Sequence, residues 1–529
     1  MESKVDDHDH RVGSRGRNTQ KSTCRSAYTY FKEYCNSTSI HGFKYLAEER
    51  SLGERLLWIS LITLAFMGVG YLISQIYAKY TESPVIVSFA TKESPIYTIP
   101  FPAVTICPTT VAQKKLFNFT DFVRKKKAKE KLTSTEERYA KYISYVCDTD
   151  YDYFPNEEYF TEDFYQALDE IKIPVEHFME QCKFMSLSVS CSEWFTPIIL
   201  DDGVCFTFNI LDKSAIYDST VVQVKDYHKS WKTKWNVEDG YKNVNSSDEY
   251  PYRAFMAGAD NALEIILYQN ETDLDYLCVD DFQGFSVILH APFSIPQLKS
   301  QFFMVPFNRV VNALVLPKVM STSDKVKIYK PKARECYFST EKKLKYFNIY
   351  APRNCKLECL TEFTLKMCGC VNFHMPRKND TAICGNAKFK CVKDAEYLLK
   401  LQQYNLQIEN EQMDFFCDCK PLCTDVSYDV EQSQAPWDQK EQYKAAGDMK
   451  AFDASIRYSK LSVFFKQDSF LTSQRNELYG PTDFLANFGG LMGLFTGFSL
   501  LSAAEILYFL SVRLCCNFRL YRSATGIGV

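Results

Sequence analysis

The sequence predicts an α+β membrane protein in which two transmembrane helices flank one large, disulfide-rich extracellular domain with a central β-sheet. Three observations predict it. Two long apolar runs stand near opposite ends of a chain whose mean hydropathy, -0.25, is otherwise that of a protein in water. Of the 20 cysteines, 16 lie between those runs, from Cys107 to Cys423. The same interval alternates β-branched and aromatic segments with turn-rich, charged stretches.

The first run, Leu56 to Tyr77, carries no charge and has the length needed to cross a bilayer. The 55 residues before it are polar and contain no short apolar core, so it reads as a signal anchor rather than a cleaved leader. The second run extends from about Phe484 to Leu514. Gly489, Gly493 and Gly497 recur there every four residues, with Gly490 beside them, and so offer one helical face to a close neighbour. Ser499, Ser502 and Glu505 follow at three-residue steps. A carboxylate inside a span is expensive, and implies a water-filled path or a partner. Two spans put both termini on one side, and the cysteine-rich interval must be outside, so both termini are expected in the cytosol. Arg513, Arg519 and Arg522, just past the second run, agree with that orientation. The expected organisation is a cytosolic segment over 1–55, spans over 56–77 and 484–512, an extracellular domain over 78–483 and a cytosolic tail over 513–529.

The extracellular assignment rests on cysteine chemistry. Seven histidines make no paired zinc ligand set with the cysteines, so disulfides are the better reading of such density. Sequons at Asn118, Asn245, Asn270 and Asn379 fall in the same interval, while a match at Asn36 precedes the first span and reads as chance. A net charge of -3 gives no reason to expect nucleic acid. No nucleophile motif, metal-ligand pair or phosphate loop marks an enzyme, and no cofactor is expected.

Strands are expected at Pro102 to Cys107, Cys205 to Ile210, Leu263 to Tyr268, Phe285 to His290, Lys325 to Tyr329 and Leu461 to Phe465. The basic run Arg124 to Lys131 and the acidic, aromatic segment Asp148 to Glu170 read first as solvated faces of an outlying lobe, and second as an ion- or ligand-sensing surface. Cys355 and Cys359 stand one helical turn apart in a dense cluster from Cys336 to Cys423, where bridges would staple a helix pair with little core of its own.

Several motifs, in order, resemble the degenerin / epithelial sodium channel / acid-sensing ion channel superfamily, most of all its insect pickpocket branch. They are His41-Gly42 ahead of the first span, FPAVTIC (Phe101 to Cys107), GVCFTFN (Gly203 to Asn209), the string from Arg334 to Pro376, and FGGLMGLFTGFSLLSAAEILYF (Phe488 to Phe509). The likeness runs from about His41 to Leu510. It implies a trimer, homomeric or heteromeric, whose ectodomains resemble a hand of palm, thumb, finger, knuckle and β-ball. It implies an amiloride-sensitive, sodium-selective channel in the plasma membrane, among lipid, with a sensory role for chemical, osmotic or mechanical stimuli.

The resemblance also implies residue roles. Gly497, Phe498 and Ser499 match the Gly-x-Ser filter, where a broken helix exposes carbonyls that replace an ion's water. Glu505 matches an intramembrane acid below the filter, and His41-Gly42 a gating element near the lower pore. Ala486 matches the small residue at the outer mouth, Asn487 replaces an aspartate of the acid-sensing branch, and Gly493 matches the site of amiloride block. The implied bridges are Cys107–Cys205, Cys182–Cys191, Cys336–Cys423, Cys355–Cys419, Cys359–Cys417, Cys368–Cys391 and Cys370–Cys384, which leaves Cys147 and Cys278 for an eighth. Cys515 and Cys516, just inside the second span, are placed for palmitoylation. A non-conducting auxiliary or receptor-like subunit is the rival reading.

Overall fold

The computed structural model describes residues 18–82, 85–147, 153–222, 224, 227, 233–242, 249–278, 282–297, 301–409, 417–450 and 452–516. Two units compose the chain. One joins its two ends, 1–86 and 477–529, and the other is the intervening 87–476.

In the intervening unit most strands divide between two large sheets rather than forming one, and two short pairs, Tyr159–Phe160 with Ile383–Cys384 and Ser94–Pro95 with Ser469–Phe470, stand apart. The smaller has five antiparallel strands in the order Phe303–Pro306, Gly284–His290, Ala103–Pro108, Gly203–Phe208, Phe195–Leu200. Its central strands Ala103–Pro108 and Gly284–His290 are buried at every position, and they read as largely apolar runs interrupted only by Thr105, Ser286 and His290. The larger sheet is organised by one long strand, Arg309–Thr322. It pairs antiparallel with Asp425–Pro436 (Arg309 opposite Pro436, Met320 opposite Asp425) and parallel with Ile456–Phe465. Leu263–Asn270 and Met179–Phe184 continue the sheet outward. Both sheets pack on one core. Phe178, beside the larger sheet, has its ring 5.3 Å from Phe206 and 5.9 Å from Phe285 of the smaller.

Two expectations fail locally. The strand expected to reach Ile210 stops at Phe208. Asn209 turns the chain with a left-handed φ of 61° and its amide donates to the carbonyls of Phe101 and Tyr252, at 2.6 and 3.0 Å. Lys325 to Tyr329 is not a strand. A helical turn, Asp324–Lys327, occupies it, closed by an Asp324–Lys327 ion pair at 2.8 Å.

A helical lobe has its own aromatic core. Helices Phe119–Lys127, Ser134–Val146 and Asp163–Ile171 bury Phe122, Tyr145 and Phe164 against Phe160 and Phe373. Asn118 caps the first, accepting from Asp121 N at 3.0 Å, and Thr133 and Glu136 form a capping box on the second. A second helix pair, Pro352–Cys368 and Phe389–Glu409, encloses only a small core around Phe363, Val392 and Leu399.

Disulfides compensate for that thin core. Cys368–Cys391 ties the two helices directly, Cys370–Cys384 closes the connecting loop, and Cys355–Cys419 and Cys359–Cys417 anchor the first helix to the returning chain. Cys336–Cys423, Cys107–Cys205 and Cys182–Cys191 brace the sheets, and Cys147–Cys278 fastens the helical lobe. Of the sequons, Asn379 is exposed and Asn118 and Asn270 are half-buried helix caps; Asn245 lies outside the described residues.

In the unit of the two ends, Leu52–Glu82 is a single helix, longer than the expected 56–77. The candidate span within it, Leu52–Thr81, is 30 residues, about 45 Å at 1.5 Å per residue, and Val69 is its one buried residue. The expected second span is not one straight helix. Pro481–Thr496 and Leu500–Cys516 meet at a 70° bend across a three-residue break, Gly497 to Ser499.

Candidate functional site

The break is built by local sequence on both sides. Gly497 ends the first helix with φ 68°, a left-handed conformation that glycine adopts without strain. Its N–H donates to Gly493 O at 2.9 Å, the five-residue closure of a helix ended by a left-handed glycine, and the Phe498 N–H reaches back to Met492 O at 3.3 Å. Ser499 then starts the second helix. Its hydroxyl accepts from Ser502 N at 3.2 Å, and its own N–H donates to Ser502 Oγ at 3.0 Å. Gly497 therefore lies outside the glycine face expected to include it. Gly489 and Gly493 remain on the first helix, and Gly489 and Gly490 have open space where a Cβ would stand.

The segment before the first long helix packs into this break. His41 donates its backbone N–H to Thr496 O at 2.8 Å. Its ring lies so close to Gly497 that a Cβ there would stand 2.7 Å from His41 Cδ2. Gly42 has φ 87°, and a Cβ on it would approach Ile62 to 2.9 Å. Ser39 completes the contact. Its hydroxyl is 2.7 Å from that of buried Ser502, and its N–H donates to Glu505 Oε2 at 3.1 Å. The helix Asn18–Ser37 runs on, with the Tyr34 ring 5.3 Å from Phe509 and Glu33 paired with Arg513 at 2.5 Å.

The structure thus brings His41, Gly42, Gly497, Ser499 and Glu505 together. It does not bring Ala486 and Asn487 to them. Those two lie exposed near the start of Pro481–Thr496, where Asn487 donates back to Asp483 O at 2.9 Å. Ser39, Thr496 and Ser502 belong to the site and were not singled out as gating residues. Ser39 stands two residues before His41, and Ser502 three after Ser499, the spacing of a helix N-cap pair. Cys515 and Cys516 are exposed at the end of the second helix.

Basic partners hold three carboxyls of the helical lobe in their charged form. Hydrogen bonding to Lys125 draws the Glu136 carboxyl down to about 2. Arg138 holds Asp163 and Glu170 below the usual carboxylate range, with ion pairs of 2.5 and 2.7 Å. Asp425, on the long strand pair instead, is pushed up to about 6 by burial, against the pull of Val426 N–H, Arg353 and Arg475.

A family model described as amiloride-sensitive sodium channel matches residues 34–509. The chain is 28% identical over 508 residues to Pickpocket protein 28 of Drosophila melanogaster, covering 92% of this chain and 79% of that protein. It is 24% identical over 509 residues to Sodium channel protein Nach of the same species, covering 93% and 88%. A 174-residue stretch is 29% identical to Acid-sensing ion channel 2 of Rattus norvegicus, covering 32% and 31%. With the family model running from within the Asn18–Ser37 helix through the broken helix pair, this chain belongs to the amiloride-sensitive sodium channel family, a family of plasma-membrane ion channels and not of enzymes.

Proposed function

We propose that the chain is a pore-forming subunit of a trimeric, sodium-selective cation channel, homomeric or with related subunits. In this reading both termini are cytosolic, the second span is the broken helix pair, and Gly497, Phe498 and Ser499 from three copies ring the narrowest point. The observation that carries it is the 70° break, capped on both sides and centred on a left-handed Gly497. Backbone freed from a helix at membrane depth is tolerated only where it lines a cavity or is buried in protein, and such carbonyls are what an ion needs in place of its water.

Around that ring the other residues take complementary roles. Glu505 attracts cations or braces the helix below. Open space over Gly489 and Gly490, and Gly493 beside Phe498, leaves room for a neighbouring helix and for amiloride. Gating by a sensory stimulus in the extracellular unit reaches the pore through the helices that His41 and Gly42 hold against Gly497.

Voltage clamp of cells expressing the chain alone, wild type beside Ala486→Phe, tests the reading. Bulk at the outer mouth opposes close packing of a closed gate, so the variant is expected to carry a standing, amiloride-sensitive sodium current. Silence from both, with surface labelling showing the protein present, defeats the self-sufficient channel and favours the auxiliary subunit.

A further inference from the structure

The turn that follows the long strand presents an apolar side chain to solvent and holds it there. Arg309–Thr322 ends with Thr322 opposite Arg475, and the Ser323 N–H donates to Arg475 O at 3.0 Å. Asp324–Lys327 then makes its single turn on Val326, which is wholly buried. Beyond it Ile328 is 78% exposed, more than any other large apolar side chain described in 87–476. Its position is fixed from behind. The guanidinium of buried Arg334 donates one Nη to Lys327 O at 3.2 Å and to Tyr329 O at 2.6 Å, the carbonyls on either side of Ile328. Its Nε donates to Cys336 O at 3.3 Å, and Cys336 is bridged to Cys423.

Lysines flank Ile328 in the chain. Lys325, Lys330 and Lys332 are exposed, and their ammonium groups have neither hydrogen bond nor ion pair among the described residues. The acids of the same stretch are engaged: Asp324 by Lys327 at 2.8 Å, Glu335 by Lys420 at 3.4 Å, and Glu341 by Arg334. A lone exposed isoleucine is ordinary. One clamped outward by its neighbours' carbonyls, among three unpaired cations, marks a contact surface.

The strands Arg309–Thr322 and Ser473–Glu477 run parallel, so the turn lies at the end of the sheet from which the chain leaves for Pro481–Thr496. The six residues from Arg475 to Pro481 reach no more than about 22 Å when fully extended. We propose that this turn docks on the outer surface of the lipid bilayer, with Ile328 in the boundary between headgroups and acyl chains and Lys325, Lys330 and Lys332 on lipid phosphates. The inference rests on reading the two end helices as spans with 87–476 outside. A lysine lays its methylenes along hydrocarbon while its ammonium meets phosphate, and an isoleucine among such lysines gains from acyl chains what an acidic protein surface does not offer. The contact bears on the long strand directly, because Thr322 Oγ1 donates to Cys423 O at 2.5 Å beside the same turn.

Spin labelling of the full-length protein in phosphatidylcholine proteoliposomes reads the contact, on a background with Cys24, Cys35, Cys515 and Cys516 replaced by serine. A nitroxide on Ile328→Cys is expected to be open to oxygen and shielded from a water-soluble nickel chelate. One on Leu64→Cys, exposed on the first long helix, is expected to behave likewise, and one on Lys440→Cys, exposed on Gln439–Ala445, to admit the chelate. Adding Lys325→Glu, Lys330→Glu and Lys332→Glu is expected to abolish the shielding at 328, since carboxylates repel phosphate. The proposal is overturned if the chelate reaches 328 as freely as 440, or if the triple variant keeps the shielding. It is also overturned if 328 is closed to oxygen and chelate alike, the signature of a protein neighbour such as a second copy. Chelate access at Leu64→Cys overturns the membrane reading and the docking with it; a shielded Leu64→Cys beside an open Ile328→Cys overturns the docking alone.

Discussion

His41 donates its backbone N–H to the carbonyl of Thr496, at 2.8 Å, the last helical residue before the break. That carbonyl is one of those a helix end leaves without an intrahelical partner. A residue from the far end of the sequence therefore satisfies the backbone where the helix stops, and the ring of the same residue covers the next position, Gly497.

Gly497→Ala is expected to abolish or strongly reduce current. A left-handed alanine costs about 1–2 kcal/mol, and its Cβ stands 2.7 Å from the His41 ring. Whole-cell current normalised to surface protein checks this. Unchanged conductance would mean that the break is not where ions are selected.

Ser39→Ala removes the hydroxyl held at 2.7 Å by Ser502 and leaves the Ser39 N–H on Glu505. Losing one such half-buried hydrogen bond is worth about 0.5–1.5 kcal/mol, so the open–closed equilibrium is expected to shift roughly 2- to 12-fold. Single-channel open probability reads the shift, and unit conductance is expected to stay as in wild type.

Asp425 gives the extracellular unit a pH dependence of definite sign. Its carboxyl titrates at about 6 in the fold, above the roughly 3.9 of an unfolded aspartate. The folded state takes up the proton first, so stability from this residue is fully present below about pH 4 and is lost as pH rises through about 6. The unfolding midpoint of the purified protein, scanned from pH 4 to 7, is expected to contain this falling component. Asp425→Asn is expected to remove it.

The paired substitution Cys368→Ser with Cys391→Ser is expected to destabilise the helix pair by about 3 kcal/mol, the loop-closure value for a bridge of this span. The two cysteines are 23 residues apart. Limited proteolysis checks the location. New cuts are expected in Phe389–Glu409, whose small core holds little without the bridge.

What the sequence made legible follows from how local each feature is. The buried strands Ala103–Pro108 and Gly284–His290 announce themselves as mostly apolar runs, and the charge-free heart of the Leu52–Glu82 helix and the cysteine-rich unit are equally plain. The organising strand pair was missed. Arg309–Thr322 carries Pro317 and has no clean alternation, and Asp425–Pro436 alternates only at Val426, Tyr428 and Val430 before a polar, exposed second half. Tertiary pairing overrides propensity there. At the site, Gly497 reads as a place where a helix can break. The contact of Ser39 with Ser502 and Glu505 is invisible, because nothing local to any of the three points to the other end of the chain.

The meeting of Ser39 with Glu505 joins residues 466 positions apart. Contacts of such separation close late, since the whole intervening chain must be made before either partner has the other. On the proposed topology the early segment waits while the disulfide-rich unit is made on the opposite side of the membrane. On that topology His41 and Ser39 meet their partners only when the last helices arrive, so a chain cut short before Pro481 leaves both without the groups they bind.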